Sequence, residues 1–291
     1  MKTTLLAAPV CVLAFAFGAD AQAREMVLGG KLPLTRAVTN IEGGTGAGLA
    51  TWALIGGNET EDGIGASAFY TAIPLSDYDF SAYGAAVGFY NRVELSYAHQ
   101  SFDTGSTGAL LGIGSGFTFE QDIWGAKVRV LGDALYDQDS WVPQVAVGVQ
   151  YKQAEHDALI TALGGEDDSG VDVYVSATKI FLDQSLVVNV TVRATDANQF
   201  GLLGHGGDQE DDHTAQFEVS AGYMLSDRLL VGAEYRTRPD NLGFAEEESY
   251  DVFAAYAITD NLTLVAGYVD IGSVATFDNQ DGAYLSLQIG F

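Results

Sequence analysis

From Trp124 onward the chain repeats one pattern: about ten residues with an apolar side chain at every second position, then a break. Successive side chains of a strand point to opposite faces, so this period builds one apolar face and one mixed face. In 141–152, Trp141, Val145, Val147, Val149 and Tyr151 alternate with Gln144, Ala146, Gly148, Gln150 and Lys152. The same contrast sets Leu186, Val188, Val190 and Val192 against Asn189, Thr191 and Arg193, and Phe217, Val219, Ala221 and Tyr223 against Gln216, Glu218 and Ser220. It sets Leu229, Val231, Ala233 and Tyr235 against Glu234 and Arg236.

The breaks sort by length. Those near Asn91, Asp183, Ser226 and Asp260 are tight, and those at 103–120, 153–170, 196–212, 239–248 and 272–280 are long and interleave with them. Short periplasmic turns alternating with long extracellular loops are what an outer-membrane barrel requires, whereas a soluble sandwich has no reason to sort its loops so. The break at 133–140 is longer than its short-turn slot calls for. Strands are expected near 62–72, 78–90, 92–102, 121–132, 141–152, 170–182, 184–195, 213–224, 227–238, 249–258, 260–271 and 281–291, with further candidates at 28–40 and 49–57. The expected fold is an all-β, transmembrane, antiparallel up-and-down β-barrel. Fourteen strands are favoured, since an even number returns both termini to the periplasm. The alternative is twelve strands, with the Gly-rich 24–57 folded into the lumen as a plug.

Before the first strand, Lys2, the apolar run Leu5 to Phe17 and the small residues Ala19, Ala21 and Ala23 read as a signal peptide spanning residues 1–23. The run is too short for a helix that crosses a bilayer, which needs roughly 20 residues. Residues 24–291 are expected to form a single barrel in a Gram-negative outer membrane. Cys11 lies inside the leader, so the mature protein is expected to have no disulfide and no thiolate chemistry. The net charge of -26 argues against nucleic acid as a partner. Charged residues are only 18% of the chain, lower than a soluble acidic protein would carry.

Aromatics gather at strand ends, among them Tyr90, Trp141, Tyr151, Phe181, Tyr223 and Phe291, where interfacial girdles would lie. The last strand places Leu285, Leu287 and Ile289 on the face of the terminal Phe291. It looks like the strand by which outer-membrane proteins are recognised for assembly, which makes the barrel-assembly machinery an expected partner beside outer-membrane lipid and lipopolysaccharide. The segments GGKLPLTRAVTNIEGG (29–44), TWALIGG, DQDSWVPQ, SATKIFLDQSLVVNVTVRATDANQFGLLG (176–204), EYRTRPDNLGF and YLSLQIGF resemble a family of uncharacterised proteobacterial outer-membrane proteins over nearly all of the mature chain. That resemblance implies fold and location and carries no site residue. More distantly, the chain looks like the outer-membrane channels for small hydrophobic compounds, a likeness of architecture that does not fix function.

Parity points Glu94, Lys127, Arg129, Lys152, Asp172, Arg193, Glu218, Glu234 and Arg236 into the lumen. They would form either a charged eyelet that orients a solute or a packed network of ion pairs. The long loops carry acids without bases, such as Glu155, Asp157, Glu166, Asp167 and Asp168, then Asp208, Glu210, Asp211 and Asp212. Their spacing matches no calcium-loop pattern, so they read as a solvated face, and no metal or cofactor is expected. Apolar islands interrupt the same loops. Leu110, Leu111, Phe117, Phe200, Leu202, Leu203, Leu242 and Phe244 would form an apolar collar at the mouth if the loops fold inward.

These features point to a channel or binding barrel for passive uptake of a small, partly apolar solute. A second reading is an outer-membrane acyl hydrolase. His99 and Ser101 share the lipid-facing parity of Val93, Leu95 and Tyr97, and the run is similar to the His-x-Ser of outer-membrane phospholipases. The Asn-Gly that follows the Ser in that family is absent, since Phe102 and Asp103 stand there. A third reading is a structural or surface-interaction barrel.

Overall fold

A computed structural model describes residues 31–274 and 277–291, so the leader, Cys11 and the start of the 28–40 candidate strand lie outside it. Twelve antiparallel strands form one closed barrel in which each strand pairs with its sequence neighbours and β12 closes on β1. The strands are β1 (Ile64–Pro74), β2 (Asp79–Phe89), β3 (Val93–Asp103), β4 (Thr118–Leu131), β5 (Gln144–Ala154) and β6 (Ser169–Phe181). They continue as β7 (Leu186–Thr195), β8 (Thr214–Ser226), β9 (Leu229–Arg236), β10 (Ser249–Ala257), β11 (Leu262–Asp270) and β12 (Asp281–Gly290). All twelve segments read from 62 onward are strands. The alternation held because one face is buried and the other is not: Val147, Val149, Val190, Val192, Phe217, Val219 and Tyr235 are exposed on the outer wall, while their neighbours point in. Just before the irregular break between β4 and β5, the end of β4 shifts register against β5 between Arg129 and Leu131.

The favoured count of fourteen is wrong. Neither 31–40 nor 49–57 joins the barrel; residues 37–57 enter the lumen and return, as the twelve-strand alternative holds. Eight strands enclose a space that side chains alone can fill, whereas sixteen leave a channel, so twelve leave a bore that needs further filling. Leu49, Ala50, Trp52, Ala53 and Ile55 are almost fully buried there. The plug is a narrow loop with bridges Thr39 to Thr45 and Gly46 to Thr51. Gly43 turns it at φ 90°, where a side chain would also meet the carbonyl of Tyr97 at 2.8 Å.

Irregular backbone inside a barrel must find its hydrogen bonds on the wall. Glu234 accepts from the amides of Leu49 (2.6 Å) and Ala50 (3.3 Å), Glu218 from Thr51 (2.7 Å), and Glu94 from Thr45 (3.0 Å) and Gly56 (2.7 Å). Gln144 donates to the carbonyl of Ala53 (2.6 Å), and Thr191 and Asn189 donate to that of Thr51. The wall glutamates thus do for the plug what a neighbouring strand does for a strand. At the end with the short turns, Lys31 moors the plug to the carbonyls of Ile55 and Gly57 and pairs with Glu59 at 3.2 Å.

Candidate functional site

The inward rows of the wall change character along the barrel axis. At the end with the long loops, Ile73, Phe80, Phe102 and Phe119 stand in direct register across β1 to β4. The next inward row, Thr71, Ala82, Gln100, Gln121 and Ala154, is mostly small or polar. The apolar row backs a cavity of about 100 Å³. Its floor is Ile41 and Leu49 of the plug together with Phe200, and Leu202, Leu203, Leu111, Ile113, Leu163 and Val274 enclose it from the loops. Its few polar groups include Thr104, Gln199 and Tyr78, whose buried hydroxyl has no hydrogen-bond partner among the described residues.

Of the expected collar, Leu111, Phe200, Leu202 and Leu203 line this cavity. The other four do not. Leu110 is 79% exposed, because its short helix Thr107–Leu110 turns it outward. Phe117 packs edge-on against Phe119 behind the lining, with ring centroids 5.1 Å apart. Leu242 packs against the core without reaching the cavity, and Phe244 is half-buried outside it. The aromatic row and the plug residues are what sequence reasoning missed. Phe80, Phe102 and Phe119 have inward parity beside the loops, but only the register shows that they form one row.

Below the floor lies a charged layer that holds most of the expected lumen residues, all of them buried: Lys152, Asp172, Arg193, Glu218, Glu234 and Arg236, with Glu94 and Lys127 further toward the short turns. Lys127 pairs with Glu94 at 2.9 Å. Arg193 reaches Glu218 (2.7 Å) and Asp172 (3.1 Å), and Lys152 reaches Asp172 (2.9 Å). The hub is a residue of the plug. Glu42 takes Lys152 at 2.7 Å and Arg236 at 2.9 Å on one oxygen, while its other oxygen lies 3.2 Å from Arg193 as a charge contact outside hydrogen-bond geometry. The network is therefore a packed interior and not an open eyelet. Arg129 is not part of it: Arg129 points inward at the rim with the short turns and pairs with Asp133 (2.7 Å) and the exposed Glu61 (3.6 Å).

The loop 196–213 folds down onto this layer. The carbonyl of Phe200 accepts from Lys152 (2.9 Å), and its ring faces Arg236 with 4.7 Å from guanidinium to centroid. Gln199 and Phe200 both hold left-handed backbone, φ 47° and 62°, an arrangement that costs energy in residues with side chains. Asp196 anchors the loop through His205 (2.7 Å) and His213 (3.5 Å). Burial opposes its charge, but the bond from His205 and the fields of both imidazoles outweigh burial and hold its carboxyl below the usual value. A carboxyl depressed in the folded state contributes stability above its unfolded pKa and loses it as the pH falls through the folded one. Protection factors of amides 196–206, each referenced to the intrinsic exchange rate at the same pH, should therefore be high at neutral pH and fall severalfold below about pH 4. Asp196→Asn should show low protection at both.

Asp172, Asp196 and His205 bring ligand-type atoms within 4.8 Å of one another. Asp172 already neutralises Lys152 and Arg193, so a divalent cation there would face two fixed positive charges. On the outer wall, His99 Nδ1 lies 2.9 Å from Asp122 and its Nε2 3.8 Å from Glu120. Both nitrogens face carboxylates. Among the described residues Ser101 makes no hydrogen bond to His99, whose Nδ1 is taken by Asp122.

The fold is a closed, antiparallel twelve-stranded β-barrel with an apolar mouth above a filled lumen. The chain belongs to the family described as "Protein of unknown function (DUF3034)", whose profile matches residues 35–288. Similar solved structures include the KdgM porin in complex with disordered oligogalacturonate (TM-score 0.51, 11% identity, 77% of this chain and 99% of that one). The KdgM porin without it gives a TM-score of 0.50 at 11% identity, with the same coverage of 77% and 99%. The NanC porin aligns at 0.49, with 11% identity over 79% of this chain and 99% of that one. At these identities the likeness is one of fold. No curated protein matches the sequence.

Proposed function

We propose that this protein is an outer-membrane barrel that binds a small, largely apolar solute at its extracellular mouth and admits it through a lumen that the plug closes at rest. The cavity carries this reading. Large apolar side chains from four adjacent strands, four long loops and the plug converge on one space, with a charged layer beneath it. Such a concave apolar site with a few polar groups is the form that small-molecule sites take. The exposed band of Val, Leu and Tyr on the outer wall supports membrane insertion, because a closed barrel leaves no backbone group unpaired in lipid. The loop end is the outer face on this reading, since the long loops lie there and Lys31 and Phe291, the ends of the described residues, lie with the short turns.

Purified protein in nanodiscs should bind the apolar dye 1-N-phenylnaphthylamine. Ile113→Asp and Leu202→Asp, each placing a charge in the lining, should weaken binding at least tenfold while the unheated protein still migrates as a folded barrel. Undiminished binding in both folded variants would remove the cavity from the reading. A protein that migrates identically heated and unheated would remove the barrel in the membrane.

A further inference from the structure

We propose that Lys152, Arg193 and Arg236 form a carboxylate subsite of the mouth cavity, filled in the closed protein by the plug's own Glu42, and that the solute is an amphiphilic monocarboxylate. The proposal rests on the solute-binding reading above and names the class of solute.

The charge balance of the layer is the first argument. Within ion-pair distance of these three cations the wall supplies two carboxylates, Asp172 and Glu218, and the third comes from the plug. Glu234 and Asp251 make no ion pair with any of the three: Glu234 is bound to plug amides, and Asp251 lies opposite it in register. Among the groups that pair with one another, two wall carboxylates thus face three cations and Glu42 completes the set, while Glu234 is occupied by plug amides. Glu42 is fully buried, and so are the cations around it. When Glu42 leaves, the three cations lose one of the three carboxylates paired with them, and an entering anion restores that pairing. A carboxylate on the solute meets that need, and its planar oxygens suit two guanidinium groups. An alcohol or hydrocarbon does not.

Position is the second argument. Ile41, the residue before Glu42, lines the cavity floor, and so does Phe200, which touches Lys152 through its carbonyl and Arg236 through its ring. The apolar body of one molecule in the cavity and its head group in the subsite are separated only by this floor. Gln199 and Phe200 hold left-handed backbone, so lifting this part of the floor would relieve strain. The cavity lining itself contains no cation, so an acid group has no partner there until it reaches the layer below.

The test compares decanoate with decanol, which share a chain and differ in charge, on the full-length protein in nanodiscs. Glu42→Gln should tighten decanoate binding at least tenfold and leave decanol within twofold. Arg236→Gln should abolish the preference for decanoate and keep decanol binding. Folding of each variant is read from heat-dependent migration. If neither variant folds, wild-type conductance in planar bilayers decides: decanoate should open it and decanol should not, relative to protein-free bilayers. Equal binding of both probes in wild type and Glu42→Gln, or equal conductance responses, would overturn the carboxylate subsite and leave the apolar cavity standing. Failure of both probes to bind would overturn the cavity reading as well.

Discussion

A protein lacking residues 38–56 should conduct ions in a planar bilayer, at least tenfold above the full chain, which should be silent. The expectation follows from what fills the bore. A twelve-stranded wall is wider than its own side chains can pack, and the plug occupies the space with Leu49, Trp52 and Ile55 and with the Glu42 hub. The excision suits the geometry, because the amide of Gly57 already donates to the carbonyl of Arg36 at 3.0 Å, so the two cut ends lie side by side. The wall keeps all of its strand pairing. It loses partners for Glu94, Glu218 and Glu234, whose carboxylates would then face the water that enters. Heat-dependent migration establishes that the shortened chain is folded. A folded but silent variant would show that the loop 196–213, and not the plug, closes the barrel.

The second large effect is on stability. Arg193→Ala should cost about 3–5 kcal/mol in urea unfolding, the range for breaking one side of a buried ion pair, and should leave conductance at the wild-type level. Arg193 bridges Glu218, Asp172 and the plug's Glu42, and also donates to Gln150 and to the hydroxyl of Thr51 at 3.0 Å. Removing it leaves the wall carboxylates short of a cation, and water cannot reach them while the plug stays. Arg193→Lys should recover only part of the loss, since one ammonium cannot reproduce a guanidinium that hydrogen-bonds four side chains and lies against the charge of a fifth. An alanine variant as stable as wild type would mean the layer is hydrated and open, and the packed-interior account would fall with it.

The wall was legible because its determinants are local. A strand with one face toward the lumen and the other outward shows a period of two whichever strands lie beside it, so Lys127, Lys152, Asp172, Arg193, Glu218, Glu234 and Arg236 could be pointed inward from parity alone. Turn lengths were legible for the same reason. The collar was half legible. Apolar islands in acidic loops signal that those loops fold inward, but which side chain reaches the cavity depends on local turns, and the helix that sends Leu110 outward leaves no mark in composition.

The plug was not legible as one reading. Segment 49–57 has the hydrogen-bonding needs of a strand, and nothing local says whether its amides meet a neighbouring strand or the glutamates of a wall many residues away. Leu49, Thr51 and Gly56 meet Glu234, Glu218 and Glu94, partners supplied by the closed barrel. Fourteen strands and twelve with a plug satisfy the same rule of even number, so closure alone does not choose. What chooses is volume and charge: the bore that twelve strands enclose, and the ion-pair layer inside it whose hub is Glu42, exist only once the strands have met around them.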